Sequence, residues 1–119
     1  MKKIVASLVF VLFMFTDATI VMAAVEDRGV DWSVYQGDQG KFGYGHDKFS
    51  ISQIGGYNGT SIYWQSTYAS QVQSSIAQGK RAHTYIWYQS VTNTALAKNI
   101  LDTMLAQVQT PKGSIVALD

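Results

Sequence analysis

Two aspartates stand where short strands are predicted to end, and carboxylates at strand ends can do electrostatic or acid–base chemistry. Asp31 lies in the segment 28–32 (RGVDW), and Asp119 follows the apolar run 114–118 (SIVAL). Active sites of barrels and open parallel sheets lie at the carboxyl ends of the strands. A carboxylate pair there suits glycoside hydrolysis, in which two carboxylates flank the scissile bond. Capping of a following loop is the commoner role for each aspartate alone, and for the pair the two interpretations balance.

Aromatic side chains accumulate at the same predicted strand ends and in the adjoining loops. Aromatic rings stack on sugar rings, and their polar tips bond hydroxyl groups, although core packing is expected for at least half of them. Alternation along 82–88 (AHTYIWY) places Tyr85 and Trp87 on one face of a strand. We take Tyr35, Tyr85 and Trp87 as candidate substrate-binding residues. The full set is Trp32, Tyr35, Tyr57, Tyr63, Trp64, Tyr85, Trp87 and Tyr88.

Composition excludes several kinds of chemistry. The chain has no cysteine, which excludes disulfides, thiolate metal sites and a cysteine nucleophile. Its two histidines offer little for a zinc site: His83 lies in a predicted strand and is expected to be structural, and His46 receives no role. Nine basic against eight acidic residues argue against a nucleic-acid partner. We therefore expect neither a metal nor a cofactor.

Strand and helix periodicities alternate along the chain. Such alternation predicts right-handed βαβ units and a parallel sheet, in an α/β fold of about four parallel strands with two main helices. Two helices give too little cover for four strands, so we interpret the chain as the front part of a larger α/β domain, a barrel. The predicted strands are 28–32, 49–54 (closed by Gly55 and Gly56), 82–88 and 114–118, the helices 66–78 and 94–108, and the loops 36–47 and 57–65.

The first 23 residues have the pattern of a secretory signal peptide. Lys2 and Lys3 precede an apolar run over 4–15, and Ala23 offers a cleavage site. The run is shorter than the roughly 20 residues that span a bilayer. We expect cleavage after Ala23, a secreted protein and no stable membrane association afterwards. The alternative is an uncleaved signal anchor over 4–25.

Three motifs resemble the glycoside hydrolase family 25 lysozymes, the muramidases of bacteria and their phages, and most of all the endolysin-type members. They are 29–37 (GVDWSVYQG), 79–88 (GKRAHTYIWY) and 114–119 (SIVALD). The resemblance implies an irregular (β/α) TIM-like barrel, of which residues 24–119 would be an incomplete catalytic domain. It also implies cleavage of the β-1,4 bond between N-acetylmuramic acid and N-acetylglucosamine, with peptidoglycan glycan strands as the partner.

The resemblance assigns roles to the two aspartates. Asp31 matches the first active-site carboxylate, and Asp119 matches the Asp of an Asp-x-Glu motif whose Glu, the general acid, would fall two positions later. Many members carry Lys-Ala-Thr/Ser-Glu-Gly after the second strand, where this chain has Gln53 to Tyr57. Residues 24–119 alone are expected to be prone to aggregation or partly molten, and to be catalytically inactive because the general acid is missing. The alternatives are a non-catalytic peptidoglycan-binding remnant and a remnant that does not fold.

Overall fold

Five strands and two helices make up the part of the chain that the computed structural model describes, residues 27–119. The predicted signal peptide, its cleavage site and the anchor alternative lie outside these residues. None of the described helices has the length and apolar character needed to cross a membrane. The strands are β1 (Arg28–Trp32), β2 (Asp47–Asn58), β3 (Ile62–Trp64), β4 (Arg81–Gln89) and β5 (Val116–Leu118), and the helices are α1 (Tyr68–Ala77) and α2 (Thr94–Leu105).

The strands form one sheet in the order β1-β2-β4-β5, and these four are parallel to their neighbours. The predicted α/β class with a parallel sheet and two helices is therefore confirmed. Each helix connects two parallel strands, α1 before β4 and α2 before β5, as βαβ units require. This arrangement brings the carboxyl ends of all four parallel strands to one edge of the sheet.

The prediction that Gly55 and Gly56 close the second strand is wrong. The strand β2 continues to Asn58 and pairs antiparallel with β3, inside the segment predicted as the loop 57–65. The glycines allow close approach of neighbouring chains. A Cβ on Gly55 would lie 2.1 Å from the Tyr63 carbonyl oxygen, and one on Gly56 would lie 2.1 Å from that of Trp87. Glycine here reflects strand packing, and a positive φ of 153° at Gly55 adds a second reason for it.

Both helices cover the same face of the sheet and form the main core. The buried residues of this cluster are Ile54, Tyr68, Val72, Ala82, Ile86, Ile100 and Met104. The second helix packs an apolar face on this cluster, with Ile100 and Met104 fully buried and Leu101 packed against them, and Val108 follows the helix on the same side. The helix ends at Leu105, before the predicted 108, and the Asn93 side chain caps its start. The opposite face holds a smaller buried cluster of Phe49, Ile51, Tyr85 and Ala117.

Candidate functional site

The two predicted aspartates lie on either side of one tyrosine in the strand order of the sheet. Asp31 is the fourth residue of β1, and Asp119 directly follows β5, where its backbone N–H donates to the Ile86 carbonyl (2.9 Å). Both side chains are exposed. Between them in the strand order, Tyr85 lies on β4, and both carboxylates raise the pKa of its hydroxyl. Residues 88 positions apart thus act on one hydroxyl group at the carboxyl edge of the sheet.

Burial is the largest cause of the high pKa of Tyr85, and the negative charges of Asp31 and then Asp119 add to it. Together with a smaller effect of Tyr63 they raise this pKa to about 12. The hydroxyl is neutral at pH 7 and donates a hydrogen bond to Oε1 of Gln53 (3.3 Å). A neutral donor beside two carboxylates can hold a hydroxyl-rich ligand without adding a third negative charge.

Gln53 links Tyr85 to a second tyrosine. Its Nε2 donates to the hydroxyl oxygen of Tyr63 (2.8 Å), and only 6% of the Gln53 side chain and backbone is exposed. Burial raises the pKa of Tyr63, the bond from Gln53 lowers it, and nearby Tyr35 raises it. Gln53 was not predicted as a site residue from the sequence, and Tyr63 was named only in the wider set of aromatic residues near the strand ends. The available signal was a glutamine that continues the alternation of Phe49 and Ile51 on one face of β2.

The two other predicted sugar-binding residues lie at the border of this edge. Trp87 follows Tyr85 on the same face of β4 and is 39% exposed. Tyr35 is 90% exposed in a single 3-10 turn, Val34–Gln36, directly after β1. We call the surface formed by Asp31, Gln53, Tyr63, Tyr85, Trp87 and Asp119 the rim, with Tyr35 beside it.

The turn that carries Tyr35 is held in place from both sides. Ser33 and Gln36 form a reciprocal capping box around it. From α1, Nε2 of Gln71 donates to the carbonyl oxygens of Ser33 (2.7 Å) and Gly37 (2.9 Å). Since Gln71 is fully buried, these bonds anchor the exposed turn to the helical layer.

The histidines take no part in the rim. Nδ1 of His83 accepts the backbone N–H of Ile115 (3.0 Å), which is the hydrogen-bonded structural role we predicted. Burial and then the charge of Arg81 lower the pKa of His83 to about 4, so its imidazole is neutral at pH 7. His46 stacks on Tyr44 in the loop before β2, with ring centroids 5.1 Å apart. Within residues 27–119 no three His, Asp or Glu side chains form a group that could hold a metal ion.

A cleft of about 270 Å³ lies beside β3 and α1, and another of about 220 Å³ lies at the amino end of β1, both away from the rim. The chemical interest of the rim depends on its two carboxylates and on the network of Tyr63, Gln53 and Tyr85. In comparisons with protein-family models, curated proteins and solved structures, nothing matches this chain.

Proposed function

We propose that this chain is the N-terminal part of a secreted, cell-wall lytic glycoside hydrolase of the lysozyme type, with an irregular (β/α) TIM-like barrel fold. Its substrate is the β-1,4 bond between N-acetylmuramic acid and N-acetylglucosamine in peptidoglycan. One observation carries the proposal: Asp31 near the carboxyl end of the first strand of the sheet and Asp119 after the last strand are both exposed, and they lie on either side of Tyr85 in the strand order. Such a carboxylate pair at one strand edge suits a reaction with an oxocarbenium-like transition state.

In this proposal the rim supplies charge and contacts, while a further residue supplies the proton. Asp31 and Asp119 stabilise the developing positive charge or orient the acetamido group of the substrate. Tyr35 and Trp87 contact the sugars through their exposed ring faces, and Tyr85, which is only 7% exposed, through its hydroxyl group. The resemblance implies a general acid two positions beyond Asp119. We assign the role of the acid to no residue of the rim.

The test uses a substrate that needs no acid. A 2,4-dinitrophenyl glycoside of the N-acetylglucosaminyl-N-acetylmuramic acid disaccharide releases a phenolate that departs without protonation. We expect the full chain to release it, and the Asp31→Asn and Asp119→Asn variants to release it about 100-fold more slowly. The matched control is Asp38→Asn, an exposed aspartate in the loop after the 3-10 turn. Absence of release by the unmodified chain, or equal release by Asp31→Asn, would contradict the proposal.

Export is part of the same proposal. The pattern of residues 1–23 predicts that a signal peptidase removes them. N-terminal sequencing of exported protein should then begin at Ala24. Recovery of protein with intact Met1 from membranes would support the signal-anchor alternative.

A second candidate function is peptidoglycan binding without catalysis. The observation that favours it is the exposure of two aromatic rings, 90% for Tyr35 beside the rim and 39% for Trp87 within it. Sedimentation with purified cell walls separates the two functions. The binding function is supported if the unmodified chain and the Asp31→Asn variant sediment equally well with the walls and the unmodified chain releases no phenolate.

A further inference from the structure

A cleft of about 270 Å³ opens on the helix-covered side of the sheet, opposite the rim. Its floor contains the buried residues Ile54 and Tyr68, and Trp64 forms a wall. Tyr63 bonds to Gln53 on the rim side. Since neighbouring side chains of a strand point to opposite faces, Trp64 belongs to the other side. The strand β3 therefore presents one aromatic ring to each face of the sheet.

The polar side chains at this cleft are three amides and the hydroxyls of Ser66 and Tyr68. Gln65, Gln107 and Gln109 line it, and none of its lining residues in the described part of the chain is charged. Oε1 of Gln65 already accepts the backbone N–H of Val34 (2.8 Å), which leaves Nε2 of Gln65 as a donor. The backbone N–H of Gln109 donates to the Tyr68 hydroxyl (2.9 Å), so the backbone that carries this amide is held in place.

This combination selects a class of ligand. Trp64 is 49% exposed and offers an indole face for apolar CH groups, while the amides offer donors and acceptors for hydroxyl or acetamido groups. A charged ligand would find no counter-charge here. A purely apolar partner would bury the glutamine amides without hydrogen bonds, which is costly. An uncharged sugar satisfies both the ring and the amides.

We propose that this cleft is a second carbohydrate site, separate from the rim, which holds an uncharged N-acetylhexosamine unit. The choice of an N-acetylated sugar rests on the proposed function, whereas the neutral character of the ligand rests on the cleft alone. Two sugar sites on opposite faces of one short strand would hold the protein on a glycan network more tightly than either site alone.

Tryptophan fluorescence of the full chain can test the cleft separately from the rim. The chain has three tryptophans, of which Trp32 is 1% exposed, Trp64 faces the cleft and Trp87 faces the rim. The Trp87→Phe variant thus reports on the cleft and the Trp64→Phe variant on the rim. The probe is triacetylchitotriose, an uncharged trimer of N-acetylglucosamine. We expect a saturable change in the emission of the Trp87→Phe variant.

Amide variants in the Trp87→Phe background identify the groups that bind. Replacement of Gln107 or Gln109 by Ala should weaken binding about three- to tenfold, the range expected for one lost hydrogen bond. The matched control is Gln73→Ala, an exposed glutamine of α1 outside the cleft, which should leave the affinity unchanged. Asp31→Asn should also leave it unchanged.

The outcomes separate this inference from the proposed function. The cleft proposal is supported if the emission change of the Trp87→Phe variant is saturable and the amide variants weaken the binding. This holds even if the Trp64→Phe variant shows no emission change and the dinitrophenyl glycoside is not cleaved. No saturable signal from Trp87→Phe, or one that ignores both amide variants, overturns the inference whatever the rim does. NMR of the unmodified chain gives an independent check: the sugar should shift the methyl signals of Ile54, in the cleft, and a response confined to Ile51, on the other face, would contradict the proposal.

Discussion

The two faces of the sheet differ in what their buried side chains do. On the helix-covered face, seven buried residues pack as one cluster, and the buried hydroxyls of Tyr68 and Thr84 bond to each other (2.8 Å). On the opposite face, the buried cluster has four residues, and one of them, Tyr85, belongs to the network with Gln53. One face mainly excludes water, whereas the other places polar groups beside exposed carboxylates.

This difference implies that stability and chemistry are largely separable in this chain. Dense apolar packing on the helix side should dominate the free energy of unfolding. The exposed carboxylates on the rim side contribute little to packing and change mainly the electrostatic environment. Substitutions on the two faces should therefore have different signatures, and four predictions test this in order of decreasing effect.

Truncation of the main core should have the largest effect. Ile86 is fully buried under both helices, so Ile86→Ala should lower the free energy of unfolding by about 2–5 kcal/mol through lost burial and a residual cavity. The control is Leu118→Ala at the 47% exposed end of β5, with an expected change within about 0.5 kcal/mol. Chemical denaturation measures both. Similar losses for the two variants would show that the helix-covered face is not the stable one.

A methyl group on Gly56 should also destabilise the protein. It would meet the carbonyl oxygen of Trp87 at 2.1 Å and force β2 and β4 apart, at an expected cost of about 1–3 kcal/mol. Gly45→Ala is the matched control, because its Cβ would meet nothing within 4 Å, and a small gain of about 0.5 kcal/mol is expected there. Equal melting temperatures for the two variants would contradict the close approach of the strands at Gly56.

Acid should lower the free energy of unfolding through the protonation of His83, which is buried on the same side of the sheet as Tyr85. Its pKa is about 4 in the folded protein against 6.5 when exposed, so between these values the unfolded chain binds a proton that the folded chain does not. This contribution to stability is complete above pH 6.5 and declines as the pH falls towards 4. His83→Gln should remove that part of the pH dependence of the denaturation midpoint, while His46→Gln should keep it. Identical profiles for wild type and His83→Gln would refute the assignment.

The smallest effect on stability should come from the rim carboxylates. Asp31→Asn removes a negative charge and should lower the pKa of Tyr85, and Asp119→Asn should lower it less. The free energy of unfolding should change by no more than about 0.5 kcal/mol, because both side chains are exposed. NMR titration of the tyrosine Cζ carbon measures the pKa, with Asp38→Asn as the unchanged control. An unaltered Tyr85 titration in Asp31→Asn would show that the two groups do not interact.

Most elements of the fold could be predicted from local patterns. The four parallel strands and both helices lie where periodicity placed them, with shifts of a few residues at their ends. The hairpin of β2 and β3 could not be predicted in this way, because two adjacent glycines usually indicate a turn. Only the neighbouring backbones at Tyr63 and Trp87 explain why glycine is required there.

Some residues of the site could also be predicted from the sequence, whereas others could not. Asp31 and Asp119 could be identified because carboxylates at the ends of parallel strands meet at one edge of the sheet. Gln53 and Tyr63 could not, because a glutamine in a strand shows no special character until its partners are known. Their bond joins β2 to β3, a strand that our sequence analysis did not predict.

The amino-acid sequence alone determined the alternation of strands and helices and the two carboxylates at the strand ends. Both depend on side chains within a few residues of each other, since a strand or a helix repeats over two to four residues. The tertiary structure decided which groups surround those carboxylates: the Gln53–Tyr85 and Gln53–Tyr63 bonds and the amide-lined cleft behind β3. These contacts join residues 10 to 55 positions apart, and only strand pairing and helix packing bring such residues together.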